Sequence, residues 1–297
     1  MQCQPVVTGV KSETVLSDHI ANRRFCGYAS TPSGEFMEFR LLNQNLFRLV
    51  RALAPLFHWR WAGEATFVQQ LDAQTKLKMR TNLYDRWAVY EVWGRLEYKD
   101  KQFVIAPGDV VVDIGAHIGA FSVWAACQAP LGRVYAFEPN GENHALLVEN
   151  KNINNLNNLE AFNIAVSDRD GEASFFNSDH SSMSHSFFES GEENTIKVRT
   201  ISLAGILAEN QIDRVNYLKI DAEGAEYLII LNAPADVLDK VDRIFLEFHD
   251  YLDHGHHYQD LERHLTAHGF QVMTGRNFIS RLLFKIGYIK AVRNKSV

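Results

Sequence analysis

Residues 110–121, Val-Val-Val-Asp-Ile-Gly-Ala-His-Ile-Gly-Ala-Phe, join three valines to an acid and then to two glycines four residues apart. The valines read as a buried strand. Gly115 and Gly119 read as a tight turn whose backbone comes close to a ligand. Ala120 to Cys127 has the character of a helix. A strand, a glycine turn and a helix in that order commit the chain to an α/β fold. A dinucleotide site carries G-x-G-x-x-G at this point. Here the middle glycine is missing, and Asp113 stands two residues before the first glycine. A helix N-terminus favours an anionic pyrophosphate. A carboxylate at the strand end suits a cationic amino-acid ligand instead.

The remaining chain continues the alternation. Successive strands are expected at Val110–Ile114, Val134–Phe137, about Glu160–Ala165, Tyr217–Ile220, Arg243–Phe248, Phe270–Met273 and Tyr288–Val292. Between them, Glu142–Asn152, Leu203–Glu209, Ala225–Leu231 and Tyr258–His268 read as helices, and Ala173–Phe176 with Ile196–Ile201 as a strand pair. The pattern is a doubly wound, mostly parallel sheet. Right-handed crossovers put the loops at the strand ends on one edge.

Ahead of it, Leu42, Leu46, Leu49, Val50 and Leu53 follow a helical period that Pro55 should end. Lys76–Met79 alternates weakly, and Tyr84, Trp87, Tyr90 and Trp93 form an aromatic stripe read as core. A length of 297 residues with 46% hydrophobic content suits one domain plus an extension. The expected division is a mainly helical extension over 1–80, serving as an acceptor cap or homodimer contact, and a main domain over 81–297. The basic amphipathic helix leaves only a weak case for peripheral membrane contact.

A net charge of −6 argues against a nucleic-acid partner. Cys3, Cys26 and Cys127 form no C-x-x-C pair, which argues against a disulfide scaffold or zinc finger. With no signal-like start and no run approaching ~18 apolar residues, a cytoplasmic protein without a transmembrane segment is expected.

Glu138 ends the second strand 19 residues beyond Gly119, held by Pro139, where an acid is placed to accept both hydroxyls of a ribose. After strand three, backbone groups of Ala165 and Val166 or the side chain of Asp168 are candidates to read a base edge, as against a plain Asp-Gly turn. Strand four runs into Leu-Lys-Ile-Asp-Ala-Glu-Gly-Ala-Glu, residues 218–226. Asp221 and Glu223 there are suited to orient an acceptor, act as a base or hold a metal. Positioning is preferred and no metal is expected, because no further acids complete an oxygen cage. Glu226 falls in the first turn of a helix, where the dipole favours an acid. Strand five ends in Phe-Leu-Glu-Phe-His, with Glu247 and His249 on one face and His249 a candidate base. His254, His256 and His257 read as a solvated loop rather than a metal site.

Residues 107–119, 136–140, 165–168 and 218–226 together resemble the FkbM-like family of S-adenosylmethionine-dependent methyltransferases, with 245–249 a looser match. The similarity spans about residues 85–275, and Lys-Ile-Asp-x-Glu-Gly-x-Glu is its most specific piece. His117 stands where the family commonly has Asn. The resemblance implies a class I fold, a seven-stranded sheet with its last strand antiparallel. It also implies S-adenosylmethionine as cofactor: Asp113 and the Gly115–Ala116–Gly119 turn hold the methionine part, Glu138 with Pro139 the ribose, and Ala165, Val166 and Asp168 the adenine. Family members commonly methylate hydroxyls, so the expected partner is a small acceptor, a glycoside or other hydroxylated metabolite. Asp221 or Glu223 would orient it and His249 take its proton. Two other readings are a non-catalytic cofactor-binding scaffold and an NAD-dependent oxidoreductase. A metal-dependent catechol-type methyltransferase is a third. Ser181–His185, residues 250–258 and the N-terminal helices are expected to shape the acceptor pocket.

Overall fold

Val111 of the first strand faces one apolar layer while Val112 and Ile114 face another, because helices cover both sides of the sheet. The computed structural model describes residues 65–94, 103–176, 195–250, 255–275 and 286–294. All of them belong to the unit Arg48–Val297. The amphipathic segment around Leu42–Leu53, Ser181–His185 and His254 lie outside the described residues.

The order begins with β1 (Thr66–Gln70), β2 (Lys76–Arg80) and α1 (Leu83–Val89), which passes into a π-helical turn, Tyr90–Gly94. Then come β3 (Val110–Ile114), α2 (Ala120–Gln128), β4 (Arg133–Phe137), α3 (Gly141–Ile153) and β5 (Leu159–Phe162). β6 (Ala165–Ser167), β7 (Gly171–Phe176), β8 (Thr195–Ser202) and α4 (Leu203–Glu209) follow. Next are β9 (Tyr217–Ile220), α5 (Glu226–Leu231), α6 (Ala235–Leu238) and β10 (Arg243–His249), and last α7 (Tyr258–Ala267), β11 (Phe270–Gly275) and β12 (Ile286–Arg293).

Seven strands form the main sheet in the order β11-β12-β10-β9-β3-β4-β5. β3 pairs in parallel with both β4 and β9, β9 with β10, and β4 with β5. Only β12 is reversed, antiparallel to both β10 and β11. This is the doubly wound sheet with an antiparallel last strand that the class I fold requires. The chain order reverses about β3 and β9, so the loops after β3 and β9 flank a switch point, the usual place for a ligand in such sheets.

Two local departures from expectation have physical causes. β5, expected to run to about Ala165, ends at Phe162, because Asn163 turns its amide onto the carbonyls of Glu138 and Pro139, 2.9 Å each. The chain then crosses to a separate sheet, β6-β8-β7, so Ala165 and Val166 are not part of the main one. Residues 66–80, within the extension expected to be mainly helical, form a hairpin.

Asn150 of α3 ties that hairpin to the main body. Its side chain accepts from Lys78 N (2.6 Å) and donates to Lys78 O (2.9 Å) and to the carbonyl of Ile118 (2.8 Å). Asn154 repeats the motif on Lys76. Asn150→Ala strands one buried and two part-buried backbone groups and should lower stability by roughly 2–4 kcal/mol. Urea unfolding measures it; a loss below about 1 kcal/mol would show that water replaces the amide.

Candidate active site

Asp113 is fully buried at the end of β3, and both its oxygens are engaged. Oδ2 accepts from Ser122 Oγ of α2 (2.5 Å), and Oδ1 from Lys219 Nζ of β9 (3.1 Å). The register sets Asp113 directly beside Lys219. Lys219 also donates to the carbonyl of Gly115 at 3.3 Å. Burial alone would push the ammonium down, but the charges of Asp113 and Asp221 outweigh it and raise its pKa above that of a free lysine. The strand-end acid is therefore held in an internal ion pair rather than presented bare.

The turn after β3 is built on backbone. The N–H groups of Gly115 and Ala116 both donate to Phe137 O at 3.0 Å, locking the turn to β4. Gly115 has φ 76° and lies so near β9 that a Cβ would sit 1.8 Å from the Asp221 carbonyl oxygen. Gly119 (φ 85°) opens α2. His117 takes φ 52° between them, a conformation that Asn and His tolerate better than most residues.

Glu138 follows β4 and is buried. Oε2 accepts the His117 N–H at 2.8 Å, and Oε1 accepts the Asn140 N–H at 2.9 Å with Asn143 Nδ2 at 3.5 Å. Burial raises its pKa to about 7, although those donors pull the other way. A carboxylate offers about four acceptor positions, and with three donors already placed on it Glu138 keeps room for one more. Behind it, Asn143 accepts from Arg80 of the hairpin (2.6 Å), which also forks onto Asp85; the His117 ring lies 3.4 Å from Asp85. Pro139 is half-buried beside them.

Ala165 and Val166 are buried in β6, an edge strand of the small sheet, so only their backbone can meet a ligand. The Asp168 carboxylate accepts from Ser167 Oγ at 3.1 Å and lies 3.4 Å from Arg169. These contacts hold it within its own turn.

The acids after β9 and the histidine ending β10 converge. One ligand atom from each of Asp221, Glu223 and His249 lies within 4.8 Å of the others. His249 is 1% exposed. Its Nδ1 is 3.0 Å from Glu226 Oε1 and its Nε2 is 3.4 Å from Glu223 Oε2. Glu226 is itself pinned, accepting the N–H of His249 and of Gly224 at 2.8 Å each. Burial disfavours the imidazolium, yet Glu223 and Glu226 more than compensate and push its pKa up to about 10. Both ring nitrogens of His249, expected as the proton acceptor, already face carboxylates. His256 stacks on Tyr227 and His257 caps α7, so these two serve the fold.

Lys219, Ser122, Asn143 and Glu226 were missed from the sequence. One signal pointed to Lys219, the single charged residue within the buried strand Tyr217–Ile220, which needs an opposite charge beside it. Glu226 was read as a helix-dipole acid, and its link to β10 emerges only from topology.

The methyltransferase FkbM domain matches residues 113–272, more than half of the chain. AMB antimetabolite synthetase AmbE of Pseudomonas aeruginosa is 29% identical over 231 residues, 64% of this chain but 11% of that protein, so the chain spans about a tenth of its length. Hexuronic acid methyltransferase AglP of Haloferax volcanii is 25% identical over 173 residues, covering 56% of this chain and 70% of that protein. The solved methyltransferase FkbM of Methylobacillus flagellatus is 14% identical, with a TM-score of 0.41, and the match covers 63% of this chain and 44% of that one.

Proposed function

The chain belongs to the FkbM methyltransferase family, and from that premise we propose that it methylates a hydroxyl oxygen of a sugar or of another hydroxylated metabolite. Its cofactor is S-adenosylmethionine, which supplies an electrophilic methyl carbon on a sulfonium. The residues present fit that donor. The turn Gly115–Ala116–Gly119 is drawn in against β9 and Leu147 at its glycines and leaves its backbone at the strand end, and buried Glu138 keeps an acceptor position for a ribose hydroxyl. Asp113 acts through Lys219 and Ser122, fixing the turn against β9 and α2. Pro139 stands with Glu138 on the ribose side, and the Ala165 and Val166 backbone with Asp168 makes up the adenine side.

What carries the proposal is the gathering of Asp221, Glu223 and His249 beside that turn. Methyl transfer is an in-line displacement: the acceptor oxygen forms its bond to carbon as the carbon–sulfur bond breaks, and the O–H proton must leave. Asp221 is the more open of the two carboxylates and holds the hydroxyl. Glu223, 3.4 Å from the imidazolium, takes the proton. His249 positions Glu223. The name of AglP supports a hexuronic acid as acceptor. Among the described residues no helix is long and apolar enough to cross a membrane. We infer a cytoplasmic setting, 81–297 as the transferase part joined by the hairpin at 66–80, and an acceptor cap or homodimer contact for the rest of residues 1–80.

Incubation with methyl-labelled donor and a panel of uronic acids, glycosides and hydroxylated metabolites tests the activity. Labelled product on oxygen is expected. Tight binding of S-adenosylhomocysteine without turnover of any acceptor would favour a scaffold.

Glu138 gives the donor site a pH dependence. The folded carboxyl titrates near 7, and the ionised form is the better acceptor for a ribose hydroxyl. S-adenosylhomocysteine affinity should therefore rise about tenfold from pH ~6 to ~8 and then level off. The unbound protein behaves oppositely. The folded state holds this proton up to about 7, while the unfolded chain sheds it near 4.5, so this group's contribution to stability falls as pH rises through that window. Glu138→Gln should flatten both curves. Calorimetric titrations showing the same slope in the variant would remove Glu138 from the site.

A further inference from the structure

We propose that Asp221, Glu223 and His249 bind one divalent cation on the acceptor side of the sheet edge. The donor set is mixed, two carboxylates and an imidazole, which suits a cation such as Mn2+. Their ligand atoms already lie within 4.8 Å of one another. Donors around one ion at about 2.1 Å lie about 3.0–4.2 Å apart, so His249 Nε2 and Glu223 Oε2 at 3.4 Å already fit a shared ion, and the set of three needs only to contract.

The stronger argument lies behind His249. A ligating histidine commonly donates its far N–H to a carboxylate, which fixes the tautomer and leaves the other nitrogen for the metal. Here Nδ1 meets Glu226 Oε1 at 3.0 Å, and Nε2 points to the cluster. Glu226 is fully buried and its two oxygens are anchored by the N–H groups of Gly224 and His249. Without that anchoring the imidazole could turn; with it, Nε2 is aimed at Glu223.

Charge points the same way. Buried Glu223 and Glu226 and the adjacent Asp221 crowd one strand end. The nearby ammonium of Lys219 is 3.1 Å from Asp113 but 3.9 Å from Asp221. A divalent cation offsets the excess. It would draw an acceptor oxygen to the turn side and make its hydroxyl more acidic, lowering the demand on Glu223 as a base. Only this last role rests on the methyltransferase reading; binding of the cation does not.

The test uses the full chain stripped with chelator. Mn2+ is titrated in, free ion is followed by electron paramagnetic resonance, and S-adenosylhomocysteine binding is measured calorimetrically on the same samples. About one Mn2+ per chain is expected. Glu226→Gln should weaken it ~10–100-fold, and Asp221→Asn at least as much. S-adenosylhomocysteine affinity in both variants should stay within about twofold, which also shows that they fold. No binding at millimolar Mn2+, or binding that neither variant weakens, overturns the cation site. S-adenosylhomocysteine binding without Mn2+ binding would remove this inference alone. Mn2+ binding without S-adenosylhomocysteine binding would keep the cation site and remove the transferase reading.

Discussion

Lys219→Met is expected to lower stability by ~3–5 kcal/mol, the cost of leaving one partner of a buried ion pair without the other. The ammonium sits in the central strand β9 and reaches across to Asp113, both out of solvent. With methionine there, the Asp113 carboxylate keeps Ser122 but loses its counter-charge. It must then pick up a proton or draw water into the sheet. The Gly115 carbonyl loses a donor as well, so the turn slackens and S-adenosylhomocysteine binding should weaken with stability. The double variant Lys219→Met, Asp113→Asn removes both charges and should recover a large part of the stability, because the penalty belongs to the unpaired charge. Urea unfolding of the two single variants and the double decides it. If the double is no more stable than Lys219→Met, the ion pair is not what the substitution breaks.

Gly115→Ala should be nearly as damaging, and for a different reason. The added Cβ would lie 1.8 Å from the Asp221 carbonyl oxygen and 2.8 Å from its carbon, both backbone atoms that cannot swing away. The φ of 76° adds ~1–2 kcal/mol of left-handed strain for alanine. Relief requires β3 and β9 to part just where the glycine turn and the acid cluster meet. We expect at least ~3 kcal/mol lost, or a donor affinity down ~100-fold, read by unfolding and by S-adenosylhomocysteine calorimetry. Gly119→Ala is the graded comparison, since its Cβ would meet the movable Leu147 Cδ1 at 2.4 Å. Gly108→Ala is the control, having nothing within 4 Å of its added carbon. Equal losses at 108 and 115 would refute the collision.

The main sheet was readable because its information is local. Each strand is a short apolar run between turns, and Asp113, the glycine turn and Glu138 lie in one strand–helix–strand unit whose spacing the fold itself sets. What escaped the sequence depends on contacts between distant segments. Lys219 gains its meaning from a cross-strand register, and Glu226 from a histidine one strand away. The hairpin at 66–80 carries only weak alternation, and Asn150 and Asn154, which hold it, look like ordinary surface residues of a polar helix. His249 stands out in the sequence as a base at a strand end, but nothing near it in the chain announces that carboxylates flank both its nitrogens.

The ion pair at the heart of the donor turn joins residues 106 positions apart. A ribosome adds ~5–20 residues per second, so roughly 5–20 s separate the synthesis of Asp113 from that of Lys219. Through that interval the strand, the glycine turn and Glu138 exist without β9 against them. The donor site is thus completed late on the growing chain, and an early carboxylate waits in water for the lysine that will take it inside.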